Sequence, residues 1–182
     1  FIFGVVNLIS NQITGRVIVP KIGTKNIIMI GTVILAFCPY LLIVVDTYFS
    51  FMLVAFPFGA AIGFVIPSNQ TQVSNIENKT NKIYTPIYQA AFSAGSLSGA
   101  LMAAYVIRQG IDPEITFSMM GFIILLSVLI IYFLGLPRSE DNADPISKFQ
   151  LPKKNIFIFG ILLMFNFATI GIIIDWLSLI HI

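Results

Sequence analysis

The stretch IIMIGTVILAFCPYLLIVV, residues 27–45, runs nineteen residues without a charge between Lys25 and Asp46. A hydrocarbon core about 30 Å thick takes about 20 helical residues at 1.5 Å each, so the run has the length of a membrane crossing. It shows no period-two alternation of the kind a barrel strand needs. Backbone amides in lipid must be paired within their own segment, which leaves helix as the reading. Working outward, five further runs of this kind cover residues 1–19, 51–74, 85–107, 115–135 and 155–177. The sequence predicts an all-α, polytopic membrane protein with six transmembrane helices, numbered here spans 1 to 6. Composition agrees: 57% of residues are apolar and 10% charged, against about 45–50% and 25% in soluble domains.

The gaps between spans fix the orientation. Arg16 stands in the last turn of span 1 and Lys21 and Lys25 follow it, Lys79 and Lys82 follow span 3, and Arg138, Lys148, Lys153 and Lys154 follow span 5. The other gaps hold only Arg108. Basic loops are retained on the cytoplasmic side, so the first, third and fifth gaps are predicted to be cytoplasmic. The net charge of +2 spread over three loops is this same bias and not a nucleic-acid footprint. One cysteine (Cys38) and one histidine (His181) cannot build a zinc site, and no catalytic motif or cofactor loop is present. No cofactor is therefore expected. The fifth gap, with Pro137, Glu140, Asp141, Asp144, Pro145 and Pro152, reads as a solvated linker.

Polarity is unevenly distributed among the spans. Span 1 carries Asn7, Ser10, Asn11 and Thr14 on one helical stripe. Span 3 ends in Ser68, Asn69, Gln70, Thr71 and Gln72, and span 4 has Gln89, Ser93 and Ser96 on one face. Gln89 and Ser93 lie about 6 and 12 Å from the cytoplasmic end of span 4, and Asn166 about 16 Å into span 6. Amides and hydroxyls are costly in lipid and must face protein or water. Asn7, Asn11, Gln89, Ser93 and Asn166 are therefore candidate solute contacts, whereas Gln70 and Gln72, nearer the cytoplasmic surface, suit a gate or a helix cap. Spans 2 and 5, the least polar, are expected to be outermost. Ala91, Gly95 and Gly99 at four-residue steps suit close helix packing, as do Gly59 and Gly63 in span 3, where Pro57 and Pro67 predict a kink. Asp175 beside Trp176 sits about 30 Å into its helix, at an outer interface, where it could also pair as an outer gate.

The loop RVIVPKIGTK, residues 16–25, resembles the helix 2–3 loop of the major facilitator superfamily, whose signature runs Gly, three residues, Asp, Arg, any, Gly, Arg, Arg. Lys21, Gly23 and Lys25 stand at its basic, glycine and second basic positions. Arg16 occupies the first glycine position with Gly15 adjacent, and Pro20 replaces the Asp. In that register spans 1 to 6 align with helices 2 to 7 of the family. Gly59-Ala60-Ala61-Ile62-Gly63 resembles its Gly-rich helix 4 motif, with Ala55 at the usual Arg position. The proline that accompanies the helix 5 glycines of drug antiporters is absent. The run from Glu77 through Asn81, Lys82, Pro86, Ser93, Gly95 and Gly99, with Asp175-Trp176, is similar to one bacterial subgroup of mostly unassigned substrates. That subgroup often has an imidazole where Gln89 stands and a carboxylate where Ile170 stands, so proton coupling through those positions is not expected.

The resemblance implies residues 1–135 as a partial N-terminal bundle (helices 2 to 6), 136–154 as a cytoplasmic linker and 155–182 as the first helix of a C-terminal bundle. It implies a secondary transporter of the bacterial inner membrane working by alternating access, with Lys21, Gly23 and Lys25 of the loop in gating positions; the amides and hydroxyls on the polar faces suit a small, neutral, hydrogen-bonding solute, and the depths of Gln70, Gln72 and Asp175 suit gating positions as well. Phe1 opens inside a hydrophobic run, so the chain reads as a fragment whose partners are lipid, solute, a missing first helix and the rest of the C-terminal bundle. A transporter-fold sensor or scaffold, and a polytopic enzyme, are the rival readings. Reporter fusions at Asn78 and Asn142 should read cytoplasmic, and fusions at Thr47 and Asp112 external. Two reversed sites would overturn the orientation.

Overall fold

The computed structural model describes residues 2–141, 154, 156–165 and 168–169. The chain divides into two compact units, Phe1–Ile146 and Ser147–Ile182. In the first unit, α1 (Ile2–Ile13) passes through a π-helical turn (Thr14–Ile18) into α2 (Val19–Ile22). Then come α3 (Thr24–Ile43), α4 (Tyr48–Thr80), α5 (Thr85–Arg108) and α6 (Pro113–Leu134), followed by a 3-10 turn at Arg138–Glu140. Five of these helical segments are long and apolar enough to cross a membrane, with α1, the π turn and α2 together making one crossing. In the second unit the described residues include a shorter apolar helix, α7 (Ile156–Phe165).

Local sequence explains the boundaries. Thr47 and Ser50 cap α4 reciprocally: the Ser50 amide donates to Thr47 Oγ1 at 3.1 Å and the Thr47 amide to Ser50 Oγ at 3.0 Å. Asp112 Oδ1 accepts from the Glu114 amide at 3.0 Å and caps α6, with Pro113 in the first turn. Asn81, in the left-handed region at φ 51°, stops α4. At 33 residues α4 is about 50 Å long, well beyond a hydrocarbon core, and it continues through Pro57 and Pro67 to carry Gln70 through Thr80 out of the apolar layer.

Helix order in the first unit is α1, α4, α3, α6, each packed on the next. Lipid tails are as apolar as leucine, so association depends on close approach and dispersion. Between α1 and α4, a Cβ on Gly63 would stand 2.6 Å from Ser10 Cβ and 2.8 Å from the Asn7 carbonyl oxygen. Gly31 of α3 sits likewise on Val65 and Ala61 of α4, and Gly121 of α6 on the Ala36 carbonyl and the Tyr40 ring of α3. In contrast, α5 has no buried residue, and the expected contact face at Gly95 and Gly99 has nothing within 4 Å among the described residues.

This order corrects the expectation for span 2. It is α3, and it lies between α4 and α6 with Ile27, Ile28, Ala36 and Cys38 buried, while α6 is at an edge with only Gly121 buried. The physical reason is that an apolar surface suits a packed helix face and a lipid-facing one equally. Gly63→Val should lower the thermal stability of the detergent-solubilised full-length protein, by about 1–3 kcal/mol as for other overpacked interfaces, and Gly63→Ala by less; an unchanged melting profile for the valine variant would contradict the close approach of α1 and α4.

Candidate functional site

The polar stripe of α1 divides when it meets α4. Ser10 and Thr14 are buried, and Thr14 Oγ1 donates back to the Ser10 carbonyl at 2.6 Å. Asn7 and Asn11 are half-buried beside them, their backbones lying against Gly59 and Gly63 of α4. Gln89 and Ser93 are exposed on α5, where Ser93 Oγ donates to the Gln89 carbonyl at 3.1 Å. Among the described residues, the side-chain amides of Asn7, Asn11 and Gln89 have no hydrogen-bond partner. Asn166 lies outside the described residues. The structure thus brings Asn7 and Asn11 together on one helix pair and Gln89 and Ser93 together on another helix, without joining the two sets in a closed pocket.

The densest polar network gathers where the start of α3, the polar end of α4 and the segment after α6 meet. Gly23, at φ 83°, occupies the N-cap of α3 and supplies no side chain to it. The cap comes instead from Asp141, 117 residues later: its Oδ2 accepts from the Thr24 amide at 2.7 Å and its Oδ1 from Thr24 Oγ1 at 2.6 Å. From α4, the Asn75 amide donates to Asp141 Oδ1 at 3.3 Å and Gln72 Nε2 donates to Thr24 Oγ1 at 3.1 Å. A Cβ on Gly23 would meet Arg138 Cβ at 3.0 Å and Asp141 Oδ2 at 3.1 Å, so this position needs glycine both for its φ and for its space. Arg138 donates to the Pro20 carbonyl at 3.4 Å, and Lys25 Nζ stands 5.1 Å over the Tyr132 ring.

Of the expected gating residues, Gly23 and Gln72 therefore belong to one cluster and Lys25 flanks it. Lys21 is exposed. Gln70 is exposed on a polar face of α4 that, with Thr71, Ser74, Asn75 and Asn78, borders an open cleft of about 470 Å³. Asp175 lies outside the described residues. Thr24, Asn75 and Asp141 were not singled out by the sequence; the available signal was a helix start at Gly23-Thr24 with no capping side chain of its own. A separate cavity of about 530 Å³ between α1, α3 and α4 is lined by Phe3, Cys38, Leu42, Phe51, Val54 and Phe58, and offers little to a hydrogen-bonding solute. Ser68 Oγ is the one buried side-chain polar atom without a hydrogen bond among the described residues.

Glu77 organises the neighbouring turn beyond the apolar part of α4. One carboxylate oxygen accepts from the Tyr84 and Thr85 amides, each at 2.6 Å, and from Thr85 Oγ1 at 2.9 Å. These bonds, that from the Thr85 amide foremost, hold its pKa below the usual carboxylate value.

The Major Facilitator Superfamily model matches residues 1–182. An uncharacterized MFS-type transporter of Yersinia pestis is 22% identical over 173 residues, which make up 95% of this chain and 44% of the relative. The chain thus spans less than half the length of the curated relative it matches. No solved structure matches.

Because the folded carboxyl of Glu77 titrates below its unfolded value of about 4.3, its contribution to the turn is fully present above that value and is lost as pH falls through the lowered one. Amide exchange in the first turn of α5, corrected for intrinsic rates, should accelerate on acidification in the wild type. In Glu77→Gln it should already be faster at pH 7 and change less with pH; equal profiles for the two proteins would remove Glu77 from this role.

Proposed function

The chain belongs to the Major Facilitator Superfamily, and we propose from that membership that the full-length protein is a secondary transporter that moves a small, neutral, hydrogen-bonding solute by alternating access. It is a multi-pass protein of the bacterial inner membrane. The observation that carries the substrate class is the trio of amides at Asn7, Asn11 and Gln89, whose side chains have no hydrogen-bond partner among the described residues. Leaving an amide unpaired in hydrocarbon costs several kcal/mol on alkane-transfer scales of about 4–8. Water or a solute with hydroxyls and carbonyls would satisfy these groups, and a strongly charged solute would find no countercharge on the same faces.

In this reading Asn7 and Asn11 on α1, Gln89 and Ser93 on α5, and Asn166 in span 6 contact the solute, and the bundle containing α1 to α6 moves against a second bundle that begins with span 6. The cytoplasmic cluster at Gly23, Lys25 and Gln72 belongs to the gate together with Lys21 and Gln70, and Asp175 serves as an outer gate. Gln89 and Ile170, neither of which titrates, support a mechanism in which neither position carries a proton. The absence of charge on the solute-facing stripes also favours transport over catalysis, since a reaction would need acid, base or nucleophile groups at one depth.

The test is a solute-uptake screen with the full-length protein in proteoliposomes, across sugars, polyols, amino acids and organic anions. Uptake confined to neutral polyhydroxylated solutes is expected. Asn11→Leu and Gln89→Leu should each weaken that uptake by roughly tenfold, the equivalent of one lost hydrogen bond of about 1–1.5 kcal/mol, with membrane insertion intact. Normal uptake in both variants would return these amides to helix packing.

A further inference from the structure

We propose that Asp141 is a clamp that straps the segment following α6 across the cytoplasmic ends of α3 and α4, and so fixes where the linker leaves the bundle. The first turn of a helix leaves backbone amides without intrahelical partners, and they are ordinarily met by a side chain at the N-cap. Gly23 has none to give, and its φ of 83° and tight surroundings prevent another residue from taking its place cheaply.

Asp141 fills that role from the far end of the first unit's sequence. Its two oxygens take the Thr24 amide and hydroxyl at 2.7 and 2.6 Å, a pair of short charge-assisted bonds directed at the positive end of α3. Thr24 is fully buried, so these bonds are shielded from bulk water. The Asn75 amide fastens the same carboxylate to α4, and Gln72 fastens Thr24 to α4, so one residue after α6 ties α3 and α4 together. Arg138 supports the strap by donating to the Pro20 carbonyl on the other side of Gly23. The short side chain of Asp141 permits no slack, so the backbone at residues 138–141 is held against the turn that joins α2 to α3. This clamp does not depend on the identity of any solute or on transport.

The test is limited trypsin cleavage after Arg138 in inside-out vesicles containing the full-length protein, followed by mass spectrometry of the fragments. Asp141→Ala should accelerate cleavage there by about tenfold or more, the scale set by losing a charge-assisted bond. Thr24→Ala, on the opposite side of the contact, should accelerate the same cleavage although it is far away in sequence. The double variant should be no faster than Asp141→Ala alone, because both changes break one joint. Asp141→Asn, which keeps an acceptor for the Thr24 amide, should fall between wild type and alanine and serves where the alanine variant does not insert. Unchanged cleavage in Asp141→Ala or Asp141→Asn, or acceleration in the double variant equal to the product of the single effects, would overturn the clamp.

Discussion

Hydrocarbon gives a helix no reward for hiding apolar surface, and the arrangement of the first unit depends on that constraint. What remains to hold helices together is close approach, dispersion and the few polar groups that can reach one another. The glycines at residues 31, 63 and 121 are where approach is closest, and they account for the sequence of contacts α1, α4, α3, α6. Polar joining is left to the ends, where α3, α4 and the segment after α6 meet around Thr24 and Asp141. The middle of the unit is thus fastened by shape and this end of it by hydrogen bonds.

Much of the fold was legible because the signals involved are local. A charge-free run of nineteen residues depends on neighbours along the chain, and the first five spans begin and end within a few residues of the expected places except for α4, whose polar tail continues the helix to Thr80. Placement across the bundle was less legible. With Thr32 as its one polar side chain, the run from Ile27 to Val45 suited an outer helix, yet Gly31 and Ala36 make α3 a helix with neighbours on two sides. In water an apolar face identifies the interior; in lipid it does not.

The polar stripes were legible as helix faces, and their arrangement across the bundle was not. Asn7 and Asn11 were found from their spacing, and the structure sets their backbones against α4, with the buried Ser10 and Thr14 taking the packing role. Gln89 and Ser93 were found in the same way, but how α5 relates to α1 depends on packing to which the spacing of residues contributes nothing. Gly23 and Gln72 were each singled out separately. That they share a cluster with Asp141 could not be inferred, because the partner of the α3 cap stands 117 positions away in a stretch whose composition suggested only solvation.

The π turn at Thr14–Ile18 has a further meaning for how this chain is compared with others. A π turn accommodates one more residue than the α-helix around it, which shifts everything downstream by about 100° of helical phase. Gly15 lies one position too early for the first glycine of the family's loop signature, while Lys21, Gly23 and Lys25 are in place. A one-residue offset of this kind is what a π turn can store. Counted along the chain, the signature is broken; counted around the helix, the extra residue is stored in the wider turn and the basic loop keeps its register.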